Sequence, residues 1–92
     1  MIQSFKCSDT RVLHQRRRVA RWVNTEALAR RKLQQLDAAD ELRDLASPPG
    51  NRLEALRDNR KGQHSIRVND QFGVCFVWRP QGPKDVEIVD YR

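Results

Sequence analysis

Residues 63–78 have the sequence Gln-His-Ser-Ile-Arg-Val-Asn-Asp-Gln-Phe-Gly-Val-Cys-Phe-Val-Trp, which predicts a β-hairpin. Ile66 and Val68 alternate with polar residues, the pattern of a strand with one buried face. An Asn-Asp pair follows, and both residue types favour tight turns. Residues 74–78 are apolar at every position, which is typical of an interior strand covered on both faces. We therefore expect a sheet with a layer of helices on one face.

The flanking sequence predicts two helices and further strands. Leucines and alanines recur at helical spacing over residues 25–45, and a Ser-Pro-Pro-Gly sequence ends this long helix. A shorter helix is expected over residues 11–15. Strands are expected over residues 2–5 and 85–91, while residues 51–56 fit either a strand or a loop. The predicted fold class is α+β, in which an antiparallel sheet of about four or five strands packs against two helices from the N-terminal half.

The composition indicates a partner rich in negative charge. A chain of 92 residues suits one domain, 1–92, with a small core. Lys and Arg number 18 against 12 Asp and Glu, a net charge of +6, and 14 of the 18 are Arg. The planar guanidinium binds phosphates through paired hydrogen bonds and stacks on bases. A basic surface that only maintains solubility is the alternative interpretation.

Several site classes have no signal in the sequence. Cys7 and Cys75 are far apart and lack metal-ligand spacing, so we interpret both as core thiols. The sequence contains no Gly-rich phosphate loop and no His-Glu-x-x-His or Gly-x-Ser-x-Gly motif. No apolar run suggests a signal peptide or a membrane span. We expect a cytoplasmic protein with reduced thiols, no metal, no cofactor and no membrane partner.

The remaining polar side chains suit RNA cleavage without a metal. A base removes the proton of the 2′-hydroxyl, an acid protonates the departing 5′-oxygen, and cations stabilise the phosphorane between them. Candidate groups on or near the predicted sheet are Glu54, Arg57, Arg60, Lys61, His64, Arg67, Gln71, Asp90, Tyr91 and Arg92.

Four motifs occur in order along the chain. They are Pro-Pro-Gly-Asn-Arg-Leu at 48–53, Gly-Gln-His-Ser-Ile at 62–66, Arg-Val-Asn-Asp-Gln-Phe-Gly-Val-Cys-Phe at 67–76 and Val-Glu-Ile-Val-Asp-Tyr at 86–91. With them the chain resembles, over nearly its whole length, the HigB family of plasmid-maintenance killer proteins, which are RelE-type toxins of bacterial toxin–antitoxin modules. The resemblance implies a compact α+β fold and a ribosome-dependent endoribonuclease that cuts mRNA in the decoding site. It also implies inhibition by a HigA-type helix-turn-helix antitoxin.

The resemblance also implies residue roles. Asp90 and Tyr91 match C-terminal family residues implicated in cleavage, and Tyr91 would orient the substrate or stack on a base. Arg57, Arg60 and Lys61 match a basic loop that meets RNA phosphates.

Three positions need separate comment. The family commonly has an arginine that clamps phosphate where this chain has Gly73. It usually ends in histidine, a proton carrier near neutral pH, where this chain has Arg92. Glu54, at a position that is histidine in some relatives, could act as a base.

The resulting hypothesis is an mRNA endoribonuclease with a catalytic cluster and a basic RNA- and ribosome-binding surface. The catalytic candidates are Asp90, Tyr91, Arg92, Glu54, Arg67 and His64, and the binding candidates are Arg57, Arg60, Lys61, Arg16, Arg17 and Arg18. His64 equally fits a packed core histidine, and the arginine run equally fits a solvated face. Two alternative functions remain. The first is a toxin-like module that binds ribosome and antitoxin but cleaves poorly, because Gly73 and Arg92 replace the phosphate-clamping arginine and the proton-carrying histidine. The second is a plain nucleic-acid-binding protein.

Overall fold

A computed structural model describes residues 1–91, in which two α-helices pack on a four-stranded antiparallel sheet. The α-helices are α1 (Ser8–His14) and α2 (Glu26–Ala38). The strands are β1 (Glu54–Ala55), β2 (His64–Arg67), β3 (Phe72–Arg79) and β4 (Gly82–Asp90), in the order β1-β2-β3-β4. Residues 1–91 also contain short 3-10 helices at Ala20–Thr25, Leu42–Ala46, Pro49–Asn51 and Asp58–Arg60. The predicted fold class is confirmed.

The strand register separates two faces of the sheet. Ile66 pairs with Val74, which pairs in turn with Ile88, and these side chains belong to the buried core beneath the helices. We call this side the helix face. Since side chains alternate along a strand, the residues between them point to the opposite, open face, where Arg67 pairs with Gly73. The interior position predicted for the second hairpin strand is confirmed by β3.

The core joins both layers of the molecule. Its buried apolar side chains are Leu13, Val19, Trp22, Ala29, Leu33, Leu36, Leu45, Ile66, Val68, Val74, Phe76, Val86 and Ile88. Full burial of a leucine or phenylalanine side chain stabilises a fold by roughly 1.5–3 kcal/mol relative to its exposure. The helices are therefore held to the sheet mainly by this cluster.

The predicted hairpin turn is confirmed, and an asparagine side chain fixes it. The Oδ1 atom of Asn69 accepts hydrogen bonds from the backbone N–H groups of Gln71 and Phe72, at 2.9 and 2.7 Å. This Asx-type arrangement satisfies amides that the reversing chain leaves unpaired. The turn delivers β3 beside β2 and leaves Asp70 exposed at the tip.

The long predicted helix is wrong in its second half. Helix α2 ends at Ala38, and Ala39 has extended geometry with φ −67° and ψ 132°. The carboxylate of Asp44 accepts the backbone N–H groups of Asp40 and Glu41 and begins a separate 3-10 helix. Leu45 still reaches the core from this second segment. The leucines at helical spacing therefore pack in or against the core as predicted, although residues 39–45 do not continue the α-helix.

Two predictions near the N-terminus also change. The strand expected over residues 2–5 is reduced to one isolated parallel bridge between Phe5 and Val86, beside β4. The short helix starts earlier than expected, at Ser8, and ends at His14.

Candidate functional site

An open cleft of about 330 Å³ lies where β1, the end of β2 with the following turn, and the residue after β4 meet. Its lining residues are Arg52, Glu54, Arg67, Asn69, Asp70 and Tyr91. We call it the Tyr91 cleft. It brings together three of the predicted catalytic residues, Glu54, Arg67 and Tyr91. It also contains three residues that the sequence did not identify as functional.

The Tyr91 side chain is held against the open face of the sheet. Its backbone N–H donates to the carbonyl of Gln71 at 2.7 Å, and its phenol interacts with the Ser65 side chain. Burial raises the pKa of the Tyr91 phenol, with a smaller raising effect from Cys75 beneath it, and the interaction with Ser65 lowers that pKa slightly against the effect of burial. The phenol therefore stays protonated at neutral pH and can donate a hydrogen bond.

The Arg67 side chain is oriented by the hairpin turn. Its Nε donates to the carbonyl of Asn69 at 3.2 Å, and its Nη2 forms an ion pair with the carboxylate of Asp70. The Asp70 side chain is almost fully exposed. An exposed ion pair of this kind contributes only about 0–1 kcal/mol to stability. Its main effect is therefore to orient the Arg67 guanidinium.

A buried polar cluster positions the other wall of the cleft. Asn51 is fully buried, and its Nδ2 donates to the carbonyls of Leu45 and Ser47 at 3.0 and 3.3 Å. Its Oδ1 accepts from the Nζ of Lys32 at 2.5 Å, and burial lowers the pKa of that lysine. The next residue, Arg52, adopts the left-handed conformation with φ 47°. These bonds fix the chain immediately before Glu54.

The neighbours Asp90 and Tyr91 point to opposite faces of the sheet. Asp90 pairs with Phe72, in the alternation that puts Val74 and Ile88 on the helix face. Its carboxylate accepts a hydrogen bond from the Gln71 amide at 3.0 Å. It lines a second, smaller cleft of about 250 Å³, together with Arg21, Trp22, Gln71, Phe72 and Ile88. The structure does not bring Asp90 into the Tyr91 cleft.

His64 is also outside the Tyr91 cleft. It pairs with Phe76 on the helix face, and the two ring centroids are 6.2 Å apart. Its Nδ1 is buried and has no hydrogen-bond partner among the described residues. This position fits the alternative interpretation, in which His64 is a packed histidine. The predicted catalytic residue Arg92 lies outside the described residues.

The predicted RNA-binding residues divide between two locations. Arg57 lines an open surface depression together with Glu54, which links it to the Tyr91 cleft. Nearby, Arg60 forms a 2.8 Å ion pair with Glu87, and that hydrogen bond raises the pKa of the arginine. Lys61 is exposed. Of the basic loop implied by the resemblance, Arg57 is therefore the residue that adjoins the cleft.

The arginine run lies in the helical layer. Arg16, Arg17 and Arg18 are exposed between α1 and α2, and Arg18 lies 3.4 Å from the carboxylate of Glu26. A groove of about 490 Å³ includes Arg16 and Arg30 on this side of the molecule. None of the three arginines lines the Tyr91 cleft.

Sequence reasoning missed Arg52, Asn69 and Asp70. The Asn-Asp pair gave a signal, but only for a turn, and the turn is what carries both residues to the cleft. Arg52 gave none, because its location depends on the buried bonds of Asn51. Residues 1–91 hold no group of three or more His, Cys, Asp or Glu arranged to bind a metal ion. Within the same residues, every helix is too short or too polar to cross a bilayer.

Comparison with known proteins identifies the family of the chain. A family model described as the RelE-like toxin of the type II toxin–antitoxin system HigB matches residues 6–92. Toxin HigB-1 of Vibrio cholerae serotype O1 is 56% identical over 48 residues, which cover 52% of this chain and 50% of that protein. An uncharacterised protein of Haemophilus influenzae is 42% identical over 48 residues, covering 52% and 48%. Each match spans about half the length of the relative. From the family match over most of its length, the chain belongs to the HigB-like family of RelE-like toxins.

Proposed function

We propose that this chain is the toxin of a type II toxin–antitoxin module and acts as a metal-independent mRNA endoribonuclease on the 70S ribosome, inhibiting translation in the cytoplasm. A HigA-type helix-turn-helix antitoxin would hold it inactive. Family membership supports the toxin role. The observation that carries the chemistry is the Tyr91 cleft, which is lined by two guanidiniums, two carboxylates and a protonated phenol.

The residues of the cleft suit the parts of RNA transesterification. Glu54 removes the proton of a 2′-hydroxyl, whose oxygen then forms a bond to the adjacent phosphorus as the bond to the 5′-oxygen breaks. Arg52 and Arg67 stabilise the charge on the phosphorane. The products are a 2′,3′-cyclic phosphate and a 5′-hydroxyl, and the latter takes up one proton. Tyr91 donates a hydrogen bond to the reacting phosphate group or to the departing oxygen.

The surrounding basic residues would bind the rest of the substrate. Arg57 shares a surface depression with Glu54, and together with Arg60 and Lys61 of the same loop it suits the phosphates of mRNA or ribosomal RNA. The exposed run at residues 16–18 would contact the ribosome on the helical side. Asp90 would contribute to cleavage from the smaller neighbouring cleft. Arg92 is the third catalytic residue that we propose at the C-terminus. We assign no proton-transfer step to His64, because its ring lies on the helix face.

The structure does not favour the binding-module alternative. That hypothesis supposed that Gly73 leaves the site without a phosphate-binding cation. Two arginines, Arg52 and Arg67, line the Tyr91 cleft, and both are oriented by local hydrogen bonds or backbone geometry. The cleft therefore has positive charge available for phosphate binding without an arginine at residue 73.

The decisive experiment is single-turnover mRNA cleavage on programmed ribosomes with purified protein. We expect Glu54→Gln to lower the rate on the order of 100-fold or more, as for loss of a general base. Arg52→Ala should also lower it, while its matched control Arg79→Ala, at the other end of β3, should not. Cleavage that survives both Glu54→Gln and Tyr91→Phe would show that the cleft is not the active site.

The alternatives predict other outcomes in the same assay. A wild-type protein that binds ribosomes without cutting mRNA would support the binding module. Binding to any RNA with steep salt dependence, with no preference for ribosomes and no antitoxin, would support a plain nucleic-acid-binding protein.

A further inference from the structure

Gly73 lies in the middle of the sheet, under the far end of the Tyr91 side chain. It is buried in β3, between Arg67 of β2 and Val89 of β4. A Cβ atom built on it would overlap the Oη and Cζ atoms of Tyr91 and lie 3.1 Å from Cε1. Its backbone is not in the left-handed region that favours glycine. The absence of a side chain at residue 73 therefore matters for the place of the Tyr91 ring and not for backbone conformation.

The Tyr91 ring is tied to this position by independent contacts. The backbone N–H of Tyr91 donates to the carbonyl of Gln71 at 2.7 Å, and its phenol interacts with Ser65, which is itself buried on β2. One side of the ring remains open to the cleft, since Tyr91 is 49% exposed. The ring thus covers Gly73 and presents its outer edge to the space shared with Glu54 and Arg67.

We propose that Gly73 is a positioning residue, whose missing side chain lets the Tyr91 ring lie across β3 at the edge of the Tyr91 cleft. This inference rests on the proposed endoribonuclease function. It reverses the expectation that Gly73 weakens the site. A side chain at residue 73 would push the far end of the Tyr91 side chain away from this place, so Gly73→Arg adds a cation and displaces the phenol.

The position of the ring can be tested without RNA. Tyr91 is the only tyrosine of the chain, so its ring signals in an NMR spectrum are unambiguous. We expect nuclear Overhauser contacts between the ring protons and the α-protons of residue 73, and their loss or displacement in Gly73→Ala. Gly50→Ala is the matched control, because a Cβ at Gly50 meets nothing within 4 Å. Absence of these contacts in the wild type would overturn the proposal.

A phenol titration gives a second readout of the ring. The pKa of Tyr91 should lie above the ordinary value of about 10 in the wild type and in Gly50→Ala, and should fall towards it in Gly73→Ala. The same pKa in all three proteins would mean that the alanine methyl group does not displace the ring, and would overturn the proposal.

The catalytic consequence requires a double-mutant cycle on programmed ribosomes. We expect Gly73→Ala to lower the single-turnover rate on the order of 100-fold at nearly unchanged ribosome affinity, because misplacement of a site group by about 1 Å can cost that much. Gly73→Arg should lose at least as much. In a Tyr91→Ala background, Gly73→Ala should cost nothing further, since its effect acts through the ring.

The outcomes separate this inference from the function on which it rests. An equal loss with and without Tyr91 would make residue 73 a structural position only, and a gain of cleavage in Gly73→Arg would restore the missing-clamp interpretation. Either result overturns the positioning role and leaves the endoribonuclease function standing. A wild-type protein that cuts no mRNA overturns the function and its catalytic consequence together, while the NMR contacts still decide where the ring lies.

Discussion

The helix face and the open face of the sheet are built on the same strands in different ways. On the helix face, Ile66, Val74 and Phe76 are fully buried beneath apolar helical side chains. On the open face, alternate residues are polar or small, and a tyrosine ring covers Gly73 in place of a helix. Packing on the first face is shared among many contacts, whereas the geometry of the second depends on a few pairs. Stability and site geometry should therefore respond to different substitutions.

The largest expected effect tests the helix face. Phe76→Ala removes a fully buried ring from the centre of the core and should lower the free energy of unfolding by about 3–5 kcal/mol. Val89→Ala, at a half-buried position paired with Gly73, should cost only about 1 kcal/mol. Urea unfolding of both variants measures the difference. Equal losses would mean that the two faces contribute alike to the core.

A smaller effect tests what supports the cleft wall. Asn51→Ala leaves two carbonyls and the Lys32 ammonium without their buried partner and should cost about 1–3 kcal/mol. Cleavage should fall as well, because Arg52 and Glu54 follow directly in the chain. The exposed Asn59→Ala is the control for both measurements. Full cleavage activity in a destabilised Asn51→Ala protein would separate the buried cluster from the site.

The smallest effect is a pH dependence that belongs to the open face. The pKa of Tyr91 is raised in the folded state, mainly by burial, so the folded protein holds the phenolic proton more tightly than the unfolded chain. This stability is fully present below about pH 10 and is lost as the pH rises from there through the folded pKa.

Comparison with Tyr91→Phe isolates that contribution. The difference in free energy of unfolding between the two proteins should stay constant between about pH 7 and 9 and move in favour of Tyr91→Phe above about pH 10. Urea unfolding at each pH measures it. A difference that does not change at alkaline pH would place the phenol in an ordinary solvated position.

The sequence predicts the two faces with different success. Alternation at Ile66 and Val68 and the Asn-Asp turn are local signals, and they give the hairpin and its buried side correctly. The same alternation, continued to the C-terminus, separates Asp90 from Tyr91, although adjacency in the chain suggested one cluster. Extending the strand pattern would have placed the two side chains on opposite faces of the sheet.

Other features depend on contacts that no local pattern encodes. The end of α2 is set by the Asp44 carboxylate, which binds amides three and four residues earlier. The place of Arg52 depends on the buried bond between Lys32 and Asn51, 19 residues apart. The family resemblance suggested that Gly73 deprives the site of a phosphate-binding arginine. A sequence comparison shows the missing side chain but not the Tyr91 ring that occupies its space.

The contact between Gly73 and Tyr91 also restricts the order in which this site can change during evolution. A mutation that adds a side chain at residue 73 meets the far end of the Tyr91 side chain, so the ring has to move when the mutation occurs. Its effect on the site therefore depends on which residue stands at position 91. Residues in contact are expected to show such non-additive effects. The same change at residue 73 can thus have different consequences in two descendants of one ancestor that differ at residue 91.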